Sequence, residues 1–152
     1  MAATGGLALV CRARDHLCAL PAGHVAETMR PLPVLVLPSA PPFVMGVSRI
    51  RGTAVPVVDI GALLGAASPS AAGRFVTVRA GERRVALAVE AVLGLRDIEA
   101  SSLSALPPLL AGGEDAVAVA VGALDAELLI VLRTARMVPE PVWRALEQRH
   151  PE

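Results

Sequence analysis

The sequence predicts an all-β protein built as two small β-barrels packed side by side, with helix confined to short turns. Three observations predict it. Apolar residues alternate with period 2 in two hairpin-like stretches, the mark of half-buried strands. Prolines 31, 33, 38, 41, 42 and 56 interrupt the first half too often for a long helix. The chain also resembles itself. Arg12, Ala13, Cys18, Ala19 and Leu20 match Arg79, Ala80, Val85, Ala86 and Leu87 at an offset of 67, and Val47, Ile50 and Val57 match Val121, Leu124 and Val131 at an offset of 74. Two matches in the same order point to a duplicated unit of about 70 residues. The halves then run over 7–65 and 74–136 within one 152-residue domain, and strands can exchange between them. The charges do not repeat: Arg51 falls over Asp125 and Asp59 over Arg133, so the halves share a fold and not a site.

In chain order, "LALVCR" and "LCALP" read as a hairpin turning at Arg14-Asp15. "RPLPVLVLPSAPPF" follows, an extended connector whose apolar residues pack it down. Next comes "GVSRIRGTAVPVVDIGALLG", Gly46 to Gly65. Gly46 and Gly52 beside strands signal a bulge or a close backbone approach, and Pro56 cannot donate a ladder hydrogen bond, so its strand is an edge or is bulged there. Val57 is expected to point into a barrel. Asp59 before "IGALLG" reads as an N-cap, one helical turn and a Gly65 stop. "RFVTVRAGERRVALAVEAV" reads as a second hairpin turning at Ala80-Gly81-Glu82, and "DAELLIVLR" as a late strand.

Composition narrows the function. Hydrophobic residues make up 54% of the chain, but Phe43, Phe75 and Trp143 are its only aromatics, so the core is built from Val, Leu, Ile and Ala. The 14 cations, all arginine, balance 14 carboxylates. That leaves no electrostatic footprint for nucleic acid or an anionic membrane. No run approaches the roughly 18 apolar residues of a membrane helix, which argues against direct membrane insertion. Nothing near Met1 reads as a secretory signal, since the first basic residue is Arg12. The protein reads as cytoplasmic.

Cys11 and Cys18 can face each other across the first hairpin, and in a reducing cytoplasm they are expected to remain buried thiols. With His16 and His24 they form C-x4-H-x-C-x5-H, which is no structural zinc spacing. His150 stands alone near the end. No metal and no cofactor is expected. An enzyme would draw on Cys18, His24 and Asp59, yet no activating motif surrounds any of them, and "AGGED" lacks the lysine and spacing of a phosphate loop. The chain is read as non-enzymatic.

Arg51 stands apart. The local pattern offers neither a cap nor a turn reason for it and names no partner, so it reads as an interface anchor.

At these residues the sequence resembles the CheW family of bacterial chemotaxis coupling proteins. "CALP" followed by "HVAET" resembles the family's hairpin strand and Val-x-Glu motif, and "LPSAPPFVMGVSRIRGTAVPVVDIGALLG" its signature almost position by position. "VALAVEAVLGL" resembles the apolar strand of its second half, and the likeness runs from about Leu7 to Val138. Cys18 replaces a frequent aromatic, while Glu90 and Arg133 stand where Asp is usual.

The resemblance implies two SH3-like five-stranded barrels and a scaffold that links a methyl-accepting chemoreceptor tip to the regulatory domain of a chemotaxis histidine kinase. The receptor's helical hairpin would lie in a groove between the barrels. Val25, Glu27 and Arg51 are the implied receptor-facing residues. The kinase contact is implied to be apolar and on the second barrel, with no residues assigned. The alternative is a divergent module of a non-flagellar chemosensory system that competes or senses without coupling.

Overall fold

The structure is a computed structural model that describes residues 6–14, 16–38, 40–64, 72–99, 103–105, 118–124, 127–132 and 138–149. Strands dominate. In chain order they are β1 (Gly6–Ala13), β2 (His16–Pro21), β3 (Val25–Met29), β4 (Val44–Ile50), β5 (Thr53–Asp59), β6 (Arg74–Ala80), β7 (Arg83–Val89), β8 (Ala91–Ile98), β9 (Leu103–Ala105), β10 (Ala118–Leu124) and β11 (Glu127–Leu132). Two short helices complete the described chain, α1 (Ile60–Leu63) and α2 (Glu140–Arg149).

The strands form two sheets, one ordered β8-β1-β2-β11-β10-β9 and one ordered β3-β6-β7-β5-β4. The expected pair of five-stranded units is thus met by five strands and by six, the extra one being the three-residue β9. Both sheets are mainly antiparallel. Each has one parallel junction, β11 on β2 in the first and β5 on β7 in the second. The hairpin β1–β2 lies with β8 to β11, while the hairpin β6–β7 lies with β3, β4 and β5.

The predicted hairpins form in register. Cys11 stands opposite Cys18, and Val78 opposite Val85. β7 alternates as expected, but its alternation separates two cores rather than core from solvent. Val85, Leu87 and Val89 enter the main cluster together with Leu9, Cys18, Leu20, Val58 and Ile60. Ala86 and Ala88 face the other way, with Phe75, Val55 and Val57. On the far side Ala8, Val10, Leu17, Ala19 and Leu129 form a third cluster. Each strongly curved sheet therefore has an apolar interior, and the main core lies between the two sheets. Alanine recurs in both interiors, as narrow small barrels require.

Val57 is buried as expected, but Val58 is buried equally, because β5 has a core on each face. Pro56 does not mark an outer edge, since β5 runs between β4 and β7. Val47, opposite Pro56, gives its own N–H and C=O to Leu35 across a bridge on the outer side of β4. The Val47–Pro56 pair is therefore the non-hydrogen-bonded kind, and the ladder to β7 begins only at Val57. The proline sits where no partner asks for its N–H.

Gly46 serves the close approach that its position suggested. Its φ is +147°, β4 is bulged between Val44 and Gly46, and a Cβ there would collide with the Leu35 carbonyl. Asp59 caps α1 through its Oδ1, which accepts from the Ala62 N–H at 3.2 Å. The helix ends at Leu64; the expected stop at Gly65 lies outside the described residues, as do Asp125, Arg133 and His150. The proline-rich connector is only partly packed: Leu37 is buried, while Leu32, Leu35 and Val36 are exposed.

Candidate functional site

β4 and β5 close on a two-residue loop. Ile50 pairs with Thr53, and Arg51 and Gly52 between them have φ of +53° and +80°. Two residues of positive φ make this a type I′ turn, whose first position usually holds Asn, Asp or Gly. The expectation that Arg51 answers to no turn is thereby corrected. It occupies a turn position at a backbone cost that an arginine does not relieve, so its side chain must account for its presence.

That side chain has a partner, contrary to the sequence reading. Arg51 Nε donates to Glu27 Oε2 at 2.8 Å and Nη2 to Oε1 at 2.7 Å. Glu27 lies on β3 directly opposite Thr77, whose hydroxyl donates to the Glu27 carbonyl at 3.3 Å. β3 is one edge of the five-stranded sheet, and β4, which runs into the Arg51 turn, is the other. The forked ion pair therefore joins the two ends of a sheet that curls back on itself. The guanidinium hydrogen bonds hold the Glu27 carboxyl below the usual carboxylate range, with the Arg51 charge and the more distant Arg84 adding to them. Arg51 nonetheless leaves 74% of its side chain in solvent and Glu27 26%, so the pair lies at the surface and remains within reach of a partner.

Val25, two residues before Glu27, is half-buried against the main core and opposite Val78. A bulge separates it from Glu27. Of the three implied residues, the structure thus bonds Glu27 to Arg51 and places Val25 on the same strand, packed against the main core.

Beside Arg51 opens a groove of about 680 Å³, walled by Ile50, Val55, Thr77, Arg84, Trp143 and Leu146 among others. The sequence reading missed Arg84 and α2. The paired arginines after the Gly81-Glu82 turn, and Pro141 in the first turn of a stretch with Val142 and Leu146 spaced i, i+4, were the available signals. Arg83 fastens α2. Its guanidinium lies 4.7 Å from the Trp143 ring centre and donates to both Glu140 carboxylate oxygens at 3.2 Å.

The residues considered for catalysis are not assembled into such a site. Cys18 is buried in β2, His24 is exposed at the end of a 3-10 turn (Ala22–His24), and Asp59 is occupied as a cap. Burial pushes the Cys11 and Cys18 thiols up to about 12, far from the reactive thiolate range. Among the described residues, no three His, Cys, Asp or Glu side chains come close enough to share a metal ion.

Two curved β-sheets around a shared core carry an exposed ion pair beside a groove. The CheW-like domain model matches residues 7–141, and the chain belongs to that family. It is 28% identical to the chemotaxis protein CheW of Rhizobium meliloti (strain 1021) over 109 residues, 70% of each chain. It is 32% identical to protein FrzA of Myxococcus xanthus over 117 residues, 76% of this chain and 71% of that one. Its fold matches the crystal structure of the scaffolding protein TtCheW from Thermoanaerobacter tengcongensis with a TM-score of 0.74 at 19% identity, covering 89% of this chain and 98% of the other.

Proposed function

We propose that this chain is a chemotaxis scaffold that couples the cytoplasmic tip of a methyl-accepting chemoreceptor to the regulatory domain of a chemotaxis histidine kinase. In this reading it is an adaptor and not an enzyme, and Val25, Glu27 and Arg51 face the receptor. Membership of the CheW-like family over nearly the whole chain carries the reading.

The geometry supports it. Arg51 is held in a turn conformation that disfavours arginine, and its side chain is largely in solvent, which suits a residue retained for a partner. The groove beside it is lined in part by the apolar residues Ile50, Val55, Trp143 and Leu146, a feature that helix-in-groove recognition uses. The six-stranded sheet exposes Leu7, Leu93 and Leu95 along β1 and the edge strand β8, an apolar surface of the kind expected for the kinase contact. The site of action is then the cytoplasm, at membrane-associated receptor arrays. Among the described residues no helix is long and apolar enough to cross a membrane.

The test is a bridging assay. Immobilised kinase regulatory domain should retain a receptor-tip fragment only when this chain is added. Binding to one partner alone would reduce the protein to a competitor, and binding to neither would overturn the proposal.

A further inference from the structure

Residues 31–38 join β3 to β4, and their burial repeats every third residue. Val34 packs against the cluster around Phe75, Leu37 enters the main core, and Ala40 continues the series against that core. Leu32 (36% exposed), Leu35 (64%) and Pro38 turn outward, as do Pro33 and Val36 (71%). Pro31, which begins the inner series, stands clear of the core. A β-strand would set Leu35 and Leu37 on one side; here one is in solvent and the other is buried. A repeat of three is that of a polyproline II helix, a prism with three edges. The sequence accounts for it. Pro31, Pro33 and Pro38 hold their own φ at about −65°, and each pushes the residue before it, Arg30, Leu32 and Leu37, toward the extended region.

The backbone of this prism is fastened to the fold. Leu35 donates its N–H to the Val47 carbonyl and accepts the Val47 N–H, both at 2.8 Å, and the Ser48 hydroxyl donates to the Pro33 carbonyl at 2.8 Å. One edge is thus seated on the protein's own core. The other two are apolar and face solvent in a conformation that is already fixed. A partner groove can grip two edges of such a prism while the third points away. Segments of this kind are taken up by grooves lined with aromatic side chains, because the ligand loses little entropy on binding. Arg30 stands at the head of the prism, exposed and without an ion pair among the described residues.

We propose that residues 30–38 form a polyproline II ligand displayed beside β4, and that its partner is a protein with an aromatic-lined groove and a carboxylate at one end. Leu32 with Pro33, and Leu35 with Val36, fill successive apolar slots of that groove, and the carboxylate meets Arg30. A second copy of this chain does not supply such a groove. Its only aromatics are Phe43, Phe75 and Trp143; Phe75 and Trp143 are buried and Phe43 is half-buried. The contact is weak and transient, since the Pro33 and Leu35 carbonyls are already bonded within the chain. The partner is additional to the receptor and the kinase.

The probe is an isotope-labelled SH3 domain of the class that binds Arg-x-x-Pro peptides. It is titrated with the whole chain and, for comparison, with a peptide of residues 30–38. The whole chain should shift the amide signals of the domain's aromatic groove and bind several-fold more tightly than the peptide, because the fold has already ordered the ligand. Leu35→Ser and Val36→Ser should each weaken binding roughly tenfold, at a melting temperature unchanged from wild type, as exposed positions allow. Arg30→Gln should weaken it less and flatten its salt dependence. An unmoved groove at millimolar chain overturns the proposal, and so does binding that survives the combined Leu35→Ser and Val36→Ser variant. A peptide that binds as tightly as the chain overturns the claim that the fold preforms the ligand. Loss of receptor-tip or kinase-domain affinity in the combined variant, with the SH3 groove unmoved by wild type, would assign the ridge to the coupling surface and sink the separate partner.

Discussion

Cys11 and Cys18 stand directly opposite each other across the first hairpin, both free and both buried. Their side chains belong to the main core, so they act as small apolar residues rather than as reagents.

A chemical prediction follows from that burial. Thiol reagents at pH 8 should leave both cysteines unmodified in the folded protein and label both on unfolding. Rapid labelling of either in the native state would contradict the packing. Both thiols are raised from about 9 to about 12 by burial, with the Cys11 charge adding to the effect on Cys18. The folded state then keeps protons that the unfolded state releases, so stability should be level below about pH 9 and fall as pH rises toward about 12. Denaturant midpoints at pH 7, 9 and 10.5 measure it in wild type and in the double serine variant, which should lose this part of the slope.

Val57→Ala and Val58→Ala should each cost roughly 1–3 kcal/mol, because each removes methyl groups from a different enclosed core. Urea midpoints measured on both variants check this. A loss confined to one of them would mean that β5 has only one buried face.

Replacing Arg51 by Asn should keep or raise the melting temperature, since Asn suits the left-handed turn position that Arg51 occupies. Receptor binding should nonetheless weaken on the order of thirtyfold, the hot-spot scale. Paired calorimetric scans and binding titrations separate the two effects. A variant that unfolds instead would make the ion pair to Glu27 a structural clamp.

Arg83→Ala should loosen α2, since it removes both the fork to Glu140 and the cation over Trp143. Trp143 is the only tryptophan, so its fluorescence reports on the helix alone. A red-shifted emission, with faster amide exchange confined to residues 140–149, is the expected result. An unshifted spectrum would show that Val142, Trp143 and Leu146 hold the helix unaided.

Much of this architecture could be read along the chain. The hairpins, the Asp59 cap and the crowding at Gly46 are local matters, decided by residues a few positions apart. Val57 was legible as buried, but not Val58, because periodicity assumes that one face of a strand meets water. Pro56 pointed to an edge or a bulge. Its tolerance instead depends on Leu35, which takes the hydrogen bonds of Val47 from outside the hairpin. Arg51 was legible as an anomaly, and its partner was not. Glu27 lies 24 residues away and meets it only because the fold brings the Arg51 turn to β3. Arg84 was legible only as one of two paired arginines after a turn, and its place on the groove was not legible. α2 went unread because its apolar stripe is short and surrounded by charge.

The placement of the two hairpins bears on how the chain can be made and divided. β1 and β2 are synthesised first, yet their sheet neighbours are β8 and β11. The opening hairpin must therefore stay unpartnered on both sides until β8 and β11 have been made. A cut after Leu64 would separate β1 to β5 from β6 to β11, and neither piece would hold a whole sheet. The two pieces would be obligate complements, each folding around the strands that the other supplies.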